Sequence, residues 1–367
     1  MTGKEYLTVC DLILTTRAPL YIGSGAVSAK TDYIYEASSG MVSVIDPDAL
    51  FALLYRKRLA DQYERFIFSG STRMDVFLRN CGIAESERDA LFLYRVNAED
   101  ALDDSHSLKE IHRFVRDSRH RVYVPGSSVK GALRTVILSA LIAGGKKGFW
   151  PDQESKTGNA RQMQELEGLY LNSLALKRDR SGKLVNDPVN SILRGLSVSD
   201  SEPVPDTAVI LSGKTDVNVR GEAKNLPLCR ECVRPGTELR FKLVLDRSVL
   251  PAPYSPGLLM QMIRDFDVYY QKTYLARFEV PYGARRVSYQ DALILGGGAG
   301  FFSKNLAYPY LGAQEGLKYT EKIMIRQFSR HGHEDDSSVH RISPHIMKYG
   351  KYRGELYPYG VCEVQIT

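Results

Sequence analysis

Apolar residues at Val129, Ala132, Leu133, Val136, Ile137, Ala140 and Leu141 recur three and four apart, and this spacing predicts one buried helical face. A short β-prone run, Val122-Tyr123-Val124, precedes it. Pro125-Gly126 breaks that run, Ser127 or Ser128 can cap the first turn, and Gly144-Gly145 ends the helix. Strand, tight turn and helix thus follow in one piece. Lys130 and Arg134 stand one turn apart at the rim of the apolar face, where free N–H groups and two cations suit an anion. The other reading is a buried helix with two snorkelling basic side chains.

The same patterning runs through the rest of the chain. Residues 6–14 form an apolar run that reads as a central strand, ended by Arg17-Ala18-Pro19 and followed by Leu20-Tyr21-Ile22-Gly23-Ser24-Gly25. Gly23 and Gly25 either let an RNA backbone approach closely or make a plain turn. Residues 33–35 and 41–45 pair as a hairpin, and Asp46-Pro47 starts a helix through Leu50, Leu53 and Leu54. About 65–118 and 145–190 break this rhythm with short helical pieces and polar loops, so both read as insertions. Residues 200–206, with two prolines and three acids, mark a boundary. Beyond it, Leu239, Phe241, Leu243 and Leu245 alternate with Arg240 and Lys242 in a strand with a basic outer face. A helix carrying Leu259, Met262, Ile263, Phe266 and Tyr270, a strand at 292–295, a helix near 320–328, a polar His/Asp loop and a last strand at 362–366 complete the chain. The expected class is α+β. Its two halves, 1–200 and 207–367, are each compatible with a ferredoxin-like layer of helices on an antiparallel sheet, with helical insertions in the first.

Charge adds a direction. The 367 residues carry a net charge of +6, which permits a polyanionic partner without identifying one. From Ser118 to Pro151 there are six Lys or Arg and no acid, and the strand–turn–helix lies inside that block. Five cysteines suggest free thiols in a reducing compartment. The longest apolar run, Val136–Ala143, is too short to span a bilayer, so no membrane partner and a cytoplasmic location are expected.

Four glycines at Gly296, Gly297, Gly298 and Gly300 directly follow a strand. Their spacing matches neither G-x-G-x-x-G nor G-x-x-x-x-G-K-[ST], so nucleotide cofactors lack support and none is expected. Such a loop can aim N–H groups at phosphates, with Phe301 or Phe302 to stack on a base and Lys304 to pair with the backbone; a tight sheet corner is the alternative. Arg285, Arg286 and Tyr282 add cations and a stacking ring upstream, though paired arginines are common on surfaces. Cys229 and Cys232 have zinc-ligand spacing without a second pair. Only His331, His333, His340 or His345 could complete a site in space, and two ordinary thiols with no metal are expected. No hydrolase, metalloprotease or kinase motif is present. His345 or His112 offers a general base for metal-independent RNA cleavage, against the default of exposed polar histidine, and Asp32 reads either as an RNA-cleaving carboxylate or as a turn cap.

Taken in order, residues 18–25 (APLYIGSG), Tyr33-Ile34-Tyr35, residues 124–134 (VPGSSVKGALR), residues 196–201 (LSVSDS) and the 296–304 loop resemble the RAMP superfamily of CRISPR proteins. With residues 343–348 (SPHIMK) and 360–362 (GVC), the chain looks most like the subunit of the type III-A Csm complex that caps the crRNA 3′ end. The resemblance implies a pair of RRM-like folds holding crRNA through backbone contacts, beside the repeating backbone subunit and other Csm-complex subunits. It implies binding rather than cutting, no catalytic residue, help with crRNA 3′-end maturation through host nucleases, and a possible contact with target RNA. The RNA-binding candidates are Gly23, Gly25, Lys130, Arg134, Arg285, Arg286, Gly296, Gly297, Gly298, Gly300, Phe301 and Lys304. Two other readings stand beside this one: a metal-independent RAMP endoribonuclease processing precursor crRNA, and an adaptor that touches protein only.

Overall fold

A computed structural model describes residues 6–70, 73–102, 108, 110–148, 150 and 158–367. Residues 71–72, 103–107, 109, 149 and 151–157, within the two expected insertions, lie outside the described residues. The first half contributes β1 (Leu7–Thr16), β2 (Gly23–Ser28), β3 (Tyr33–Glu36), β4 (Met41–Ile45), α1 (Pro47–Arg56), α2 (Ala60–Phe68), α3 (Met74–Asn80), α4 (Glu85–Asp89), β5 (Phe92–Asn97), β6 (Glu110–Phe114), α5 (Gly126–Gly144), α6 (Gly158–Leu171) and β7 (Leu196–Val198). The second contributes β8 (Val209–Asn218), β9 (Ala223–Val233), β10 (Glu238–Asp246), α7 (Pro256–Thr273), β11 (Ala292–Ile294), α8 (Ala307–Leu311), α9 (Ala313–Gln327), β12 (Ile346–Tyr352), β13 (Glu355–Pro358) and β14 (Val361–Ile366). The fold is mixed α+β.

One sheet runs β11-β14-β1-β10-β7; the other runs β2-β6-β9-β8-β5-β4-β3, with β12 on β8 and β13 on β12. Strands from before and after residues 200–206 share both sheets. β1 is central because it pairs antiparallel with β10 along nearly its whole length and with β14 from Leu12 to Thr16. Leu12 and Leu14 meet Leu239, Phe241, Leu243 and Leu245 in the core, while Arg240 and Lys242 face out as the alternation requires. Residues 199–204 run between β10 and residues 122–124: Ser199 and Glu202 donate backbone N–H to Lys242 and Arg240, and Ser201 and Val204 to Val124 and Val122.

α5 buries Val129, Leu133, Val136, Ile137 and Leu138 and packs on β7, α7 and α8. Among the described helices it alone is long and apolar enough to cross a membrane, yet its apolar face is spent in this core. Its start differs from the serine cap expected from sequence. The Gly126 N–H donates to the Asp200 carboxylate at 2.9 Å, and a Cβ on Gly126 would stand 2.2 Å from the Val198 carbonyl oxygen. Only glycine lets the helix end sit this close to the chain after β7.

Two strands, β5 and β6, lie within the stretch expected to be an insertion. β5 pairs with β4 and β8, and β6 with β2 and β9. Their sequences mix charged residues with apolar ones, and it is their position between other strands that makes them sheet. α1, α3 and the hairpin β3–β4 enclose a small core of their own, built on Ile34, Ile45, Leu50, Leu53, Leu54, Met74, Phe77 and Leu78.

Candidate nucleic-acid interface

The two glycine-rich segments of the sequence meet. Leu20 exchanges backbone hydrogen bonds with Val233 of β9, which fixes the path of residues 18–22, and the next carbonyl, that of Tyr21, accepts the Gly297 N–H at 2.8 Å. Gly296 has φ +79°, and a Cβ there would lie 2.1 Å from the same Tyr21 oxygen. Gly298 has φ +102°, and a Cβ would fall 2.7 Å from the Arg230 guanidinium. Both positions therefore require glycine for close packing inside the chain itself. Lys304 curls back to donate to the Gly296 carbonyl at 2.8 Å.

Arg230 is the centre of this junction. Its guanidinium lies between the rings of Tyr21 and Tyr359, at 4.8 and 5.2 Å from their centroids, and donates to the Gly297 carbonyl at 3.2 Å. On the sheet it sits between His112 of β6 and Ser212 of β8. Lys214, at the bulge of β8, faces Gly350 of β12, and Lys348 pairs across the same strands with Asp216 at 2.8 Å. Burial pushes the Lys214 ammonium below its ordinary value; Lys348 and Arg230 push it the same way and Asp216 opposes them. His112 is held low by burial and by Arg230. Several cations thus crowd one sheet face. Lys214 also lines a cleft of ≈ 220 Å³ with Asn225, Leu228 and Lys351.

Gly23 and Gly25 border this face on β2, exposed, at a register shift against β6; Gly25 has φ +85° and open space around it. Gly300 and the half-buried Phe301 continue the loop, whereas Phe302 lies in the core, its ring 4.8 Å from that of Tyr274. The other expected cations lie elsewhere. Arg134 pairs with Glu167 of α6 and lines a separate cavity with Asn172 and Asn186. Lys130 is half-buried on α5, whose N-terminal Gly126 N–H is taken by Asp200, and desolvation lowers its pKa. Arg285, 3.6 Å from Glu355, and Arg286 are exposed beside β13.

Beneath the cationic face Glu231, fully buried, accepts from the Tyr94 hydroxyl at 2.6 Å, the Phe114 N–H at 2.9 Å and Arg116 at 3.2 Å. These bonds tie β5, β6 and β9 together. Cys229 and Cys232, three apart on β9, point to opposite faces of the sheet, so they share no ligand position. Asp32 accepts the Ala29 N–H at 2.8 Å, the turn-capping arrangement. His345, expected to be exposed, is buried against Asp336.

Arg230, Tyr21, Tyr359, Lys214 and Lys348 were not singled out from sequence for this site. Their spacing is unremarkable along the chain, and strand pairing brings them together; the available signals were Tyr21 inside the first glycine motif and Lys348 at the end of residues 343–348.

Residues 13–277 match the sequence profile of the RAMP superfamily. The chain belongs to that superfamily. It is 29% identical over 267 residues to CRISPR system Cms protein Csm5 of Mycobacterium tuberculosis, covering 71% of this chain and 68% of the relative. The protein of the same name from Streptococcus thermophilus is 26% identical, over 89% and 85% of the two chains. That of Enterococcus italicus is 25% identical, over 96% of each. Among solved structures, a chain of a Csm–crRNA–target RNA ternary complex from a type III-A CRISPR-Cas system superposes with a TM-score of 0.66 at 18% identity, covering 97% of this chain and all of that one. The crystal structure of T. onnurineus Csm5 gives 0.62 at 16%, over 96% and 99%. These structures share their fold with nearly the whole chain.

Proposed function

We propose that this chain is the Csm5-type subunit of a type III-A Csm effector complex, binding crRNA without cutting it and capping its 3′ end. The relatives that carry the Csm5 name cover most of their own length and of this chain, which supports the subunit reading. The observation that carries the RNA reading is the Gly297–Tyr21 hydrogen bond, which makes one surface of two glycine-rich segments beside Arg230, Lys214 and Lys348. A ribose-phosphate chain running over Gly23, Gly25, Gly300 and Phe301 finds cations for its phosphates and, in the half-buried Phe301, a ring for a base. The two sheets are read as a pair of RRM-like faces, and the repeating backbone subunit, target RNA and host nucleases as neighbours.

The test is coexpression of a tagged chain with sibling Csm subunits. Small RNAs of uniform 5′ end should copurify with it, and complexes assembled without it should carry longer, ragged crRNA 3′ ends. Assembly that survives nuclease with no bound RNA would replace this reading with a protein-only adaptor. Cleavage of repeat RNA in EDTA, lost in His112→Ala, would replace it with an endoribonuclease.

A further inference from the structure

The polar His/Asp segment after α9 folds into a buried cluster that the RNA surface does not use. His333, Asp336 and His345 are 5%, 0% and 7% exposed. One nitrogen from each ring and one carboxylate oxygen lie within 4.8 Å of one another. The Asp336 oxygens are divided between the rings: Oδ2 is 3.0 Å from His333 Nδ1 and Oδ1 is 2.5 Å from His345 Nδ1. The half-buried His340 stacks on His345 with centroids 4.5 Å apart.

The surrounding chain holds these groups in place. Tyr308 donates its hydroxyl proton to the Ser343 carbonyl at 2.8 Å and accepts the Ser343 N–H at 3.1 Å, and Tyr274 donates to the Pro344 carbonyl at 3.3 Å. On the other side Ser337 binds Glu321 of α9 through both its N–H and its hydroxyl, at 2.7 and 2.6 Å. Among the described residues no Lys or Arg forms an ion pair with Asp336. This buried carboxylate is met by two imidazoles and by the Ser343 side chain, none of them a fixed cation, and a dication is the counter-charge such a site lacks.

We propose that His333, Asp336 and His345 bind one divalent transition-metal ion of the zinc class. Two imidazoles and a carboxylate are a donor set that Zn²⁺ and Co²⁺ accept, with metal–ligand bonds of about 2.0–2.2 Å and a fourth position for water. Donors up to 4.8 Å apart would have to draw in to the roughly 3.3 Å spacing that tetrahedral bonds of this length impose. The ion would fasten the turn after α9 to the start of β12, three residues before Lys348. The cysteines take no part, since Cys229 and Cys232 belong to a different strand and point to opposite faces.

The full chain, freed of metal with EDTA and dialysed, is titrated with Co²⁺. Visible d–d absorption should saturate at one equivalent, show no thiolate charge-transfer band and disappear on adding Zn²⁺. His333→Ala and Asp336→Asn should each lose the signal, and the double variant Cys229→Ser, Cys232→Ser should keep it. A wild-type chain that gives no d–d absorption at one equivalent overturns the proposal whatever the variants do. So does a signal that persists in the histidine and aspartate variants or vanishes with the cysteines.

Discussion

Arg230 shows how one side chain can join several parts of a surface. Its planar guanidinium fills the gap between two tyrosine rings and fixes a glycine carbonyl, roles a lysine ammonium would not reproduce. Lys214 is the contrasting case. Burial and two neighbouring cations disfavour its charge more than Asp216, 3.8 Å away, favours it, so the folded chain holds it at a cost in stability. Lys214→Ala should therefore leave urea stability unchanged or slightly higher while weakening crRNA binding. The slope of log K against log salt should fall by about 0.7 if one phosphate contact is lost. Lower stability with unaltered RNA affinity would make Lys214 structural. The glycines of the 296–300 loop were legible as residues needing close backbone approach. That the approaching backbone includes the chain's own Tyr21 was not, because a glycine reports a close neighbour without naming it.

At the scale of elements, the cationic face depends on β5, β6 and β9 being held in register. Glu231 of β9 does this from below, accepting from Tyr94 of β5, from Phe114 of β6 and from Arg116 just beyond β6, with Arg116 stacked 3.5 Å over the Tyr94 ring. Glu231→Ala takes the acceptor from the Tyr94 hydroxyl and the Phe114 N–H and the counter-charge from Arg116, which keeps its bond to the His120 carbonyl. It should destabilise the chain by roughly 3–5 kcal/mol, read as a lowered urea midpoint with an unchanged slope. A loss under 1 kcal/mol would show that water replaces the carboxylate. Helices with clean periodicity, such as α1, α5 and α7, were readable from spacing, as were the alternating strand β10 and the hairpin β3–β4. β5 and β6 were not, since a five- or six-residue strand with charged members has the composition of a loop until its neighbours supply hydrogen bonds.

For the whole molecule, strand order matters more than chain order. β1 of the first half is hydrogen-bonded on both sides to strands of the second, and β8 and β9 of the second half lie among strands of the first. Fragments 1–200 and 207–367 expressed separately should each lack a cooperative thermal transition, and coexpression should restore one. A sharp transition in either fragment alone would show that half to be self-sufficient. Contacts of this separation close late in folding, because the loop between partners has to be ordered first.

The sequence by itself determined the elements whose signal is local: the amphipathic helices, the alternating strands, the glycine turns and a motif order characteristic of the RAMP superfamily. Periodicity and backbone freedom are properties of a few neighbouring residues, so they can be read without knowing the fold. Tertiary structure alone decided which residues share a surface. It set Arg230 between Tyr21 and Tyr359, gathered Lys214 and Lys348 beside it, and buried His345, for which exposure was the default reading, together with His333 and Asp336. Strand pairing and burial join residues hundreds of positions apart, and no spacing along the chain encodes that distance.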